Sequence, residues 1–215
     1  MYCMMCTRPD LCFSVGYLGR FQQQPGERHW TALKRVVRYL KGSQQLTMNF
    51  ERHENHQPLT GFADADWAGD QEDRKSVSGF IFKVYGNTVS WSSKKQASVA
   101  MSSSEAEYIA LSSAATEAIW LTGILNDLGV TGIEPVKIFE DNHGCIGMAK
   151  NFESKRAKHI DIRYHFIRDQ VSEGKIEVLP IGTKNQLADI CTKALDGEQF
   201  LTLRQRLGLT DREGV

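Results

Sequence analysis

An α/β fold with a mixed five-stranded sheet flanked by helices is predicted for residues 58–215, and three observations predict it. GFADADW, SGFIFKVY and TVSWSSKK are short segments rich in β-branched and aromatic residues, bounded by turn-forming residues. The stretch SSSEAEYIALSSAATEAIWLTGILNDLG then repeats apolar residues at helical spacing over roughly seven turns. Beyond it, strand-like VKIFED and KIEVLPI alternate with helix-like HGCIGMAKN, KRAKHIDIRYHFIRDQVSEG and KNQLADICTKAL. Consecutive strands favour antiparallel pairing and helix-separated strands favour parallel pairing. The sheet should therefore hold three antiparallel strands and then two parallel ones.

The elements follow in chain order. In HWTALKRVVRYLKG, Trp30, Leu33, Val36, Val37 and Leu40 recur at helical spacing among Lys34, Arg35, Arg38 and Lys41, with Gly42 as a stop; this reads as a basic amphipathic helix. ERHENHQPL, residues 51–59, is polar, ends in a proline-containing turn signal and is the best linker candidate, so residues 1–57 are set apart from the sheet domain. Gly86-Asn87 should turn the second strand into the third as a hairpin. Ser102 or Ser104 can cap the long helix, each with a Glu three residues on, and Gly129 closes it.

Composition narrows the class. With 215 residues, 41% hydrophobic and 24% charged, the chain suits one globular domain, or one domain with a piece of another. No membrane span is expected, and MYCMMCTRPD is too short for a secretory leader. Among five cysteines, Cys3 and Cys6 form a CxxC with no second pair, so reduced thiols are expected rather than a zinc site. Net charge is zero, yet residues 1–57 hold eight Lys or Arg against four acids. A basic leader on an acidic body suggests a polyanionic partner or a docking surface for the leader, and acids concentrated in the body.

Those acids sit at informative places. In an extended GFADADW, Phe62, Asp64 and Asp66 share one face, while Ala63, Ala65 and Trp67 share the other. In the long helix Glu107 leads the stripe Ala110, Leu111, Ala114, Ala118, Leu121, Leu125 and Leu128, so it should face the sheet, whereas Glu105 is rotated about 200° away. VKIFED ends in Glu140 and Asp141 on opposite faces, where Asp141 could serve as a helix cap. Asp189 stands four residues before Lys193 and could form a surface ion pair with it. Trp67 and Trp91, both on predicted strands, are read as core residues. Each acid has a local explanation by itself. Carboxylates that converge from adjacent strands, however, repel one another unless cations sit among them, and an oxygen-only set suits Mg²⁺ or Mn²⁺. Two such ions roughly 3.5–4 Å apart can activate a water and stabilise a leaving oxygen in phosphodiester hydrolysis.

The motifs CTRPDLCFSVGYLGRF, HWTALKRVVRYLKG, DADWAGD, DRKSVSGF, SSSEAEYIAL, FEDN, KRAKHIDIRYHF and NQLADICTK, in this order, resemble the RNase H domain of copia-type LTR retrotransposon Pol polyproteins over essentially the whole chain. The resemblance implies an RNase H-like fold. It implies that residues 1–57 are the helical, connection-like C-terminal tail of the reverse transcriptase, and residues 58–215 the RNase H domain. It carries the four metal-binding, catalytic acids onto Asp64, Glu107, Asp141 and Asp189, with Asp66 as the alternative first acid or a supporting one. The implied activity is endonucleolytic hydrolysis of the RNA strand of an RNA/DNA hybrid with two Mg²⁺ or Mn²⁺ ions. The implied partners are the hybrid and the remaining reverse transcriptase domains. A cytoplasmic retrotransposon particle is the implied location, with the nucleus left open.

Lys94, Lys95, Ser103, Ser104, Asn142, Lys155, Arg156 and Lys158 are the candidates for holding substrate phosphates, either as basic runs or at the start of the long helix. Two departures stand out. EVLPIGTKNQLAD has no His before the fourth acid, leaving only His143, His159 or His165 for a product-releasing role, and no YxDD polymerase signature is present. A non-catalytic nucleic-acid-binding remnant is the main alternative function. DNA-processing nucleases and integrases with similar acid clusters fit the long-helix Glu and NQLAD less well.

Overall fold

The basic leader folds as three helices, α1 (Tyr2–Cys6), α2 (Cys12–Gly19) and α3 (Glu27–Gly42), ahead of a short strand β1 (Leu46–Met48). The structure, a computed structural model, describes residues 1–52, 56–70, 72–150 and 161–211, and only the backbone of residues 161, 162 and 164. Part of the expected linker therefore lies outside the described residues. Helix α3 is amphipathic, but Trp30, Leu33 and Val37 of its apolar stripe face solvent, while Val36 and Leu40 are partly covered.

The leader packs on the rest of the molecule. Arg8 and Asp10 form a buried ion pair at 2.8 Å, and Tyr39 on α3 donates its hydroxyl to the same carboxylate at 2.5 Å. Met4 and Cys12 pack into the apolar cluster that also holds Phe62 and Ile81.

The sheet consists of β2 (Leu59–Asp66), β3 (Val77–Val84), β4 (Asn87–Lys95), β5 (Val136–Glu140) and β6 (Ile176–Pro180). Its order is β4-β3-β2-β5-β6, with β2, β3 and β4 antiparallel and β5 and β6 parallel to β2. This is the mixed five-stranded α/β sheet that the element order predicts. The hairpin turn is Tyr85-Gly86, one residue earlier than expected, with φ of 45° and 83°. Asn87 opens β4, and its amide nitrogen donates to the Tyr85 carbonyl at 3.2 Å, closing that turn from outside.

Helix α4 (Ser103–Asp127) lies across one face of the sheet. Ser102 caps it by accepting from the Glu105 amide at 3.2 Å, and Gly129 ends it at φ 80°. Tyr108, Leu111, Ala114 and Ala118 are fully buried against Ala63, Phe82 and Ile138. Each large apolar side chain covered in this way contributes roughly 1.5–3 kcal/mol. The predicted stripe stops at Leu125, because Leu128 is the exposed C-cap. Contrary to the expectation that no segment could span a bilayer, α4 is long and apolar enough by composition; most of it is buried, as in the core helix of a soluble fold.

After β5 come α5 (His143–Lys150) and α6 (Asp161–Ser172), which pack on α4. The expected last helix over KNQLADICTKAL is shorter than predicted. A 3-10 turn at Thr183–Asn185 is followed by a single turn, α7 (Asp189–Thr192), because Gln186 is held extended. Its buried side-chain amide donates to the carbonyls of Ala63 at 2.9 Å and Phe139 at 3.4 Å, stapling α7 under the ends of β2 and β5. Neither α8 (Gly197–Arg206), capped by Asp196, nor the small two-stranded sheet in which β7 (Leu209–Asp211) pairs antiparallel with β1 is expected from the sequence.

Candidate metal centre

The strand β2 is buried on both faces, and alternation sends its side chains to two different layers. Phe62 joins Leu187 and Ile190 on the α7 side, and Ala63 joins Leu111 and Ile138 on the α4 side. Asp64, on the Phe62 face, is fully buried and points towards α7. Its two oxygens are both engaged. The Thr192 hydroxyl donates to Oδ2, and the Lys193 ammonium donates to Oδ1 at 2.8 Å.

Glu107 arrives from the opposite layer, one turn into α4. Its Oε2 accepts from the Ala65 amide at 2.5 Å, so the carboxylate is fixed to the strand that carries Asp64. Gln96 sets the height of this turn, because its buried amide donates to Ser78 Oγ and to the Ala106 carbonyl, both at 2.9 Å.

Asp141 follows β5, which pairs parallel with β2, so the chain leaves both strands at the same end of the sheet. Asp141 does not cap α5. Asn142 does: its side-chain oxygen accepts from the Cys145 amide at 3.0 Å and from Ser104 Oγ at 3.0 Å. That link joins the starts of α4 and α5 and leaves Asp141, partly exposed, free of the capping role. Among the described residues, Asp64, Glu107 and Asp141 form one group whose ligand oxygens lie within 4.8 Å of one another.

Asp189, on α7, reaches the group through Lys193, which donates to Asp189 Oδ1 at 2.9 Å as well as to Asp64. The ion pair expected at the surface is thus made, but with both carboxylates buried and the lysine a third exposed.

Electrostatics record the crowding of negative charge. Burial, then the carboxylates of Glu140 and Asp64, push Glu107 up to about 11. Burial and Asp64 push Asp189 up to about 7 against the pull of Lys193. Burial alone would lower the Lys193 ammonium, but Asp64 and Asp189 outweigh it and raise it. Glu140 is the neighbour that sequence reasoning missed. Fully buried on the α4 side of β5, it accepts from the Asn142 amide at 3.0 Å through Oε1, while its Oε2 has no hydrogen-bond partner. Cys145 lies beside it, its thiol raised by burial and by the Glu140 charge.

The other expected residues fall as follows. Asp66 stands at the end of β2, where its Oδ1 accepts from the Val77 amide and closes the β2–β3 ladder rather than joining the group of three. Lys95 is taken up by Asp70 at 2.5 Å and Asp73 at 3.0 Å, away from the acids, whereas Lys94 beside it is exposed. Ser103 is exposed at the first turn of α4, and Ser104 is spent on Asn142. Lys155, Arg156, Lys158 and His159 lie outside the described residues; His143 and His165 are exposed on α5 and α6. Trp67 is not a core residue: β2 ends at Asp66, and the indole is about half exposed, its N–H donating to the Ala100 carbonyl at 3.3 Å. Trp91 is partly buried and donates to the Met4 carbonyl at 2.8 Å.

Three antiparallel strands, a long helix crossing the sheet, two parallel strands and acids gathered at the shared end of β2 and β5 define a mixed α/β protein with a carboxylate cluster at one end of its sheet. The chain belongs to the family of retrovirus-related Pol polyproteins from copia-type transposons. It is 40% identical over 210 residues to the polyprotein of transposon TNT 1-94 from Nicotiana tabacum and 41% identical over 206 residues to that of transposon RE1 from Arabidopsis thaliana. These alignments take in 97% and 95% of the chain but 16% and 14% of the polyproteins, so it spans about a sixth of their length. A secreted RxLR effector protein 161 from Plasmopara viticola is 54% identical over 122 residues, 57% of this chain and 85% of that protein. Similar solved structures include LC11-RNase H1, isolated from compost, at a TM-score of 0.49 and 19% identity, covering 62% of this chain and 91% of that one. The N-terminal RNase H domain of a Mycobacterium tuberculosis protein has a TM-score of 0.47 and 14% identity, covering 68% and 96%. No protein-family model matches the chain.

Proposed function

We propose that this chain is a ribonuclease H, hydrolysing the RNA strand of an RNA/DNA hybrid with Mg²⁺ or Mn²⁺, as part of a retrotransposon Pol polyprotein engaged in reverse transcription. The observation that carries this reading is the convergence of Asp64, Glu107 and Asp141 within 4.8 Å, with Asp189 linked to the same cluster. The donors are all oxygens, which suits a hard divalent cation. Burial, and then the neighbouring carboxylates, push Glu107 upwards, a penalty on its ionised form that such a cation would relieve. Asp64, Glu107 and Asp141 would hold one ion, and Asp64 with Asp189 a second. Bound there, the ions would activate the attacking water and neutralise charge growing on the departing 3′ oxygen.

The chain's own residues supply positioning. The Ala65 amide and the Thr192 hydroxyl fix the orientation of Glu107 and Asp64. Ser104 and Asn142 lock the two helix starts beside the acids, and the exposed Ser103 and Lys94 are available to substrate phosphates. Asp66 supports the site from the end of β2. Within such a polyprotein, residues 1–57 would be the tail of the reverse transcriptase and residues 58–215 the RNase H domain. The remaining reverse transcriptase domains would then be partners, in a cytoplasmic particle.

The test is cleavage of a labelled RNA/DNA hybrid by the purified chain in Mg²⁺, beside duplex DNA and single-stranded RNA, for wild type and Asp141→Asn. Hybrid-specific cutting that EDTA and Asp141→Asn both abolish is the expected result. A folded wild-type chain that binds the hybrid without cutting it would favour the binding-remnant reading instead.

A further inference from the structure

The ammonium of Lys193 lies 2.8 Å from Asp64 Oδ1 and 2.9 Å from Asp189 Oδ1, so it stands where a cation shared by those two acids would have to stand. Asp64 and Asp189 are buried to within a few per cent, and Lys193 is the single cation that bridges them among the described residues. Neighbouring contacts keep it there. The Thr192 hydroxyl, one residue earlier, donates to the other oxygen of Asp64, and Gly79, the register partner of Asp64, leaves room for α7 against β3. A Cβ at residue 79 would come within 2.6 Å of Thr192 and 2.9 Å of Cys191. Among the described residues, no ion pair joins a cation to Glu107 or Asp141 in the other half of the cluster.

We propose that Lys193 is a built-in cation that fills the Asp64–Asp189 half of the site at rest, so that the chain takes one divalent ion readily and a second only by displacing this ammonium. The inference rests on the metal-dependent reading of the acid cluster. A compact charge on a flexible four-carbon stem, a third exposed, suits such a displaceable role. Two acids that share a cation neutralise it whether it is an ammonium or a metal ion. A second divalent ion entering beside the ammonium would meet direct repulsion. The first ion is therefore tight and the second weak, with Lys193 setting the gap between them.

The test is titration with Mn²⁺ at fixed pH and ionic strength, counting bound ions by the electron paramagnetic resonance signal of free Mn²⁺, for wild type, Lys193→Met, Lys193→Arg and Asp141→Asn. Wild type should bind one ion tightly, and Lys193→Met should bind a second at least about tenfold more tightly than wild type does. Lys193→Arg keeps the charge and should match wild type; if Lys193→Met fails to fold by circular dichroism, the arginine variant decides. Two tight ions in wild type or in Lys193→Arg, or an unchanged second affinity in Lys193→Met, overturns the proposal while leaving the metal site itself standing. No ion in folded wild type, or full binding in Asp141→Asn, overturns the metal site and this inference with it. A lysine that merely props up α7 would lower the melting temperature when replaced without changing the number of ions.

Discussion

Asp64 on β2 sits directly across the ladder from Gly79 on β3, and the missing side chain at 79 is what lets α7 approach near enough for Thr192 and Lys193 to reach that acid. A methyl group there would meet Thr192 Cγ2 at 2.6 Å and Cys191 Cβ at 2.9 Å, with a backbone carbonyl behind them at 3.4 Å. Gly79→Ala should therefore cost about 1–3 kcal/mol by overpacking, read from urea denaturation. It should also weaken hybrid cleavage more than hybrid binding, because α7 moves while the exposed basic surface does not. An unchanged midpoint and unchanged cleavage would mean that α7 is not held by this contact.

Glu107→Gln separates charge from shape. The glutamine oxygen can still accept from the Ala65 amide, as Glu107 does at 2.5 Å, and it removes an acid that burial and its neighbours resist ionising. Stability in EDTA should fall by less than about 1 kcal/mol or rise, while the increase in melting temperature that Mn²⁺ gives wild type disappears. An equal increase in both proteins would remove Glu107 from the ligand set.

The pH dependence of stability without metal has a definite sign. Asp189 is raised from 3.8 to about 7, so the folded state holds this proton more tightly than the unfolded one. Its contribution is fully present below about pH 4 and is lost as pH rises through about 7. In EDTA the melting temperature should thus fall between pH 5 and 7 more steeply for wild type than for Asp189→Asn. Adding Mn²⁺ should flatten the wild-type decline, because a bound cation favours the ionised acids. Parallel wild-type and Asp189→Asn curves would refute the assignment.

Asp10 is the buried hub of a network that links the leader to α8. It accepts from Arg8 at 3.0 and 2.8 Å and from Tyr39 at 2.5 Å, and Arg204 on α8 donates in turn to the Tyr39 hydroxyl at 3.2 Å. Asp10→Ala strands a buried guanidinium and should cost about 3–5 kcal/mol. Because the network spans α3 and α8, denaturation monitored by Trp30 fluorescence and by far-ultraviolet circular dichroism should shift together. Separate transitions would mean that the leader unfolds on its own.

Much of the sheet domain was readable because its signals are local. A period of two separates Phe62 and Asp64 from Ala63 and Ala65, and a period of 3.6 turns Glu107 inward. The residues that escaped reading owe their positions to distant partners. Gln186 breaks an otherwise helical stretch because its amide is needed 123 residues away at Ala63, and Lys193 finds Asp64 across 129 residues. Alternation puts Glu140 on the face opposite Asp141, but its full burial depends on α5, whose Cys145 lies beside it. Helical spacing in α3 identified a stripe but not what would cover it, and Trp30, Leu33 and Val37 remain outside. Trp67 lies outside the core because β2 ends one residue before it.

The pairing of β1 with β7 also orders events in time. Asn49 bonds to Thr210 across 161 residues, so on the ribosome β1 waits for a partner made that much later before either is secured. Closure over so long a loop is slow relative to the hairpin β3–β4 or the helix α4, and until it happens the apolar cluster shared by Cys12, Phe62 and Leu203 lies open. The nascent chain therefore passes through a stage in which its central sheet can form while its flank remains a surface for chaperones or for aggregation.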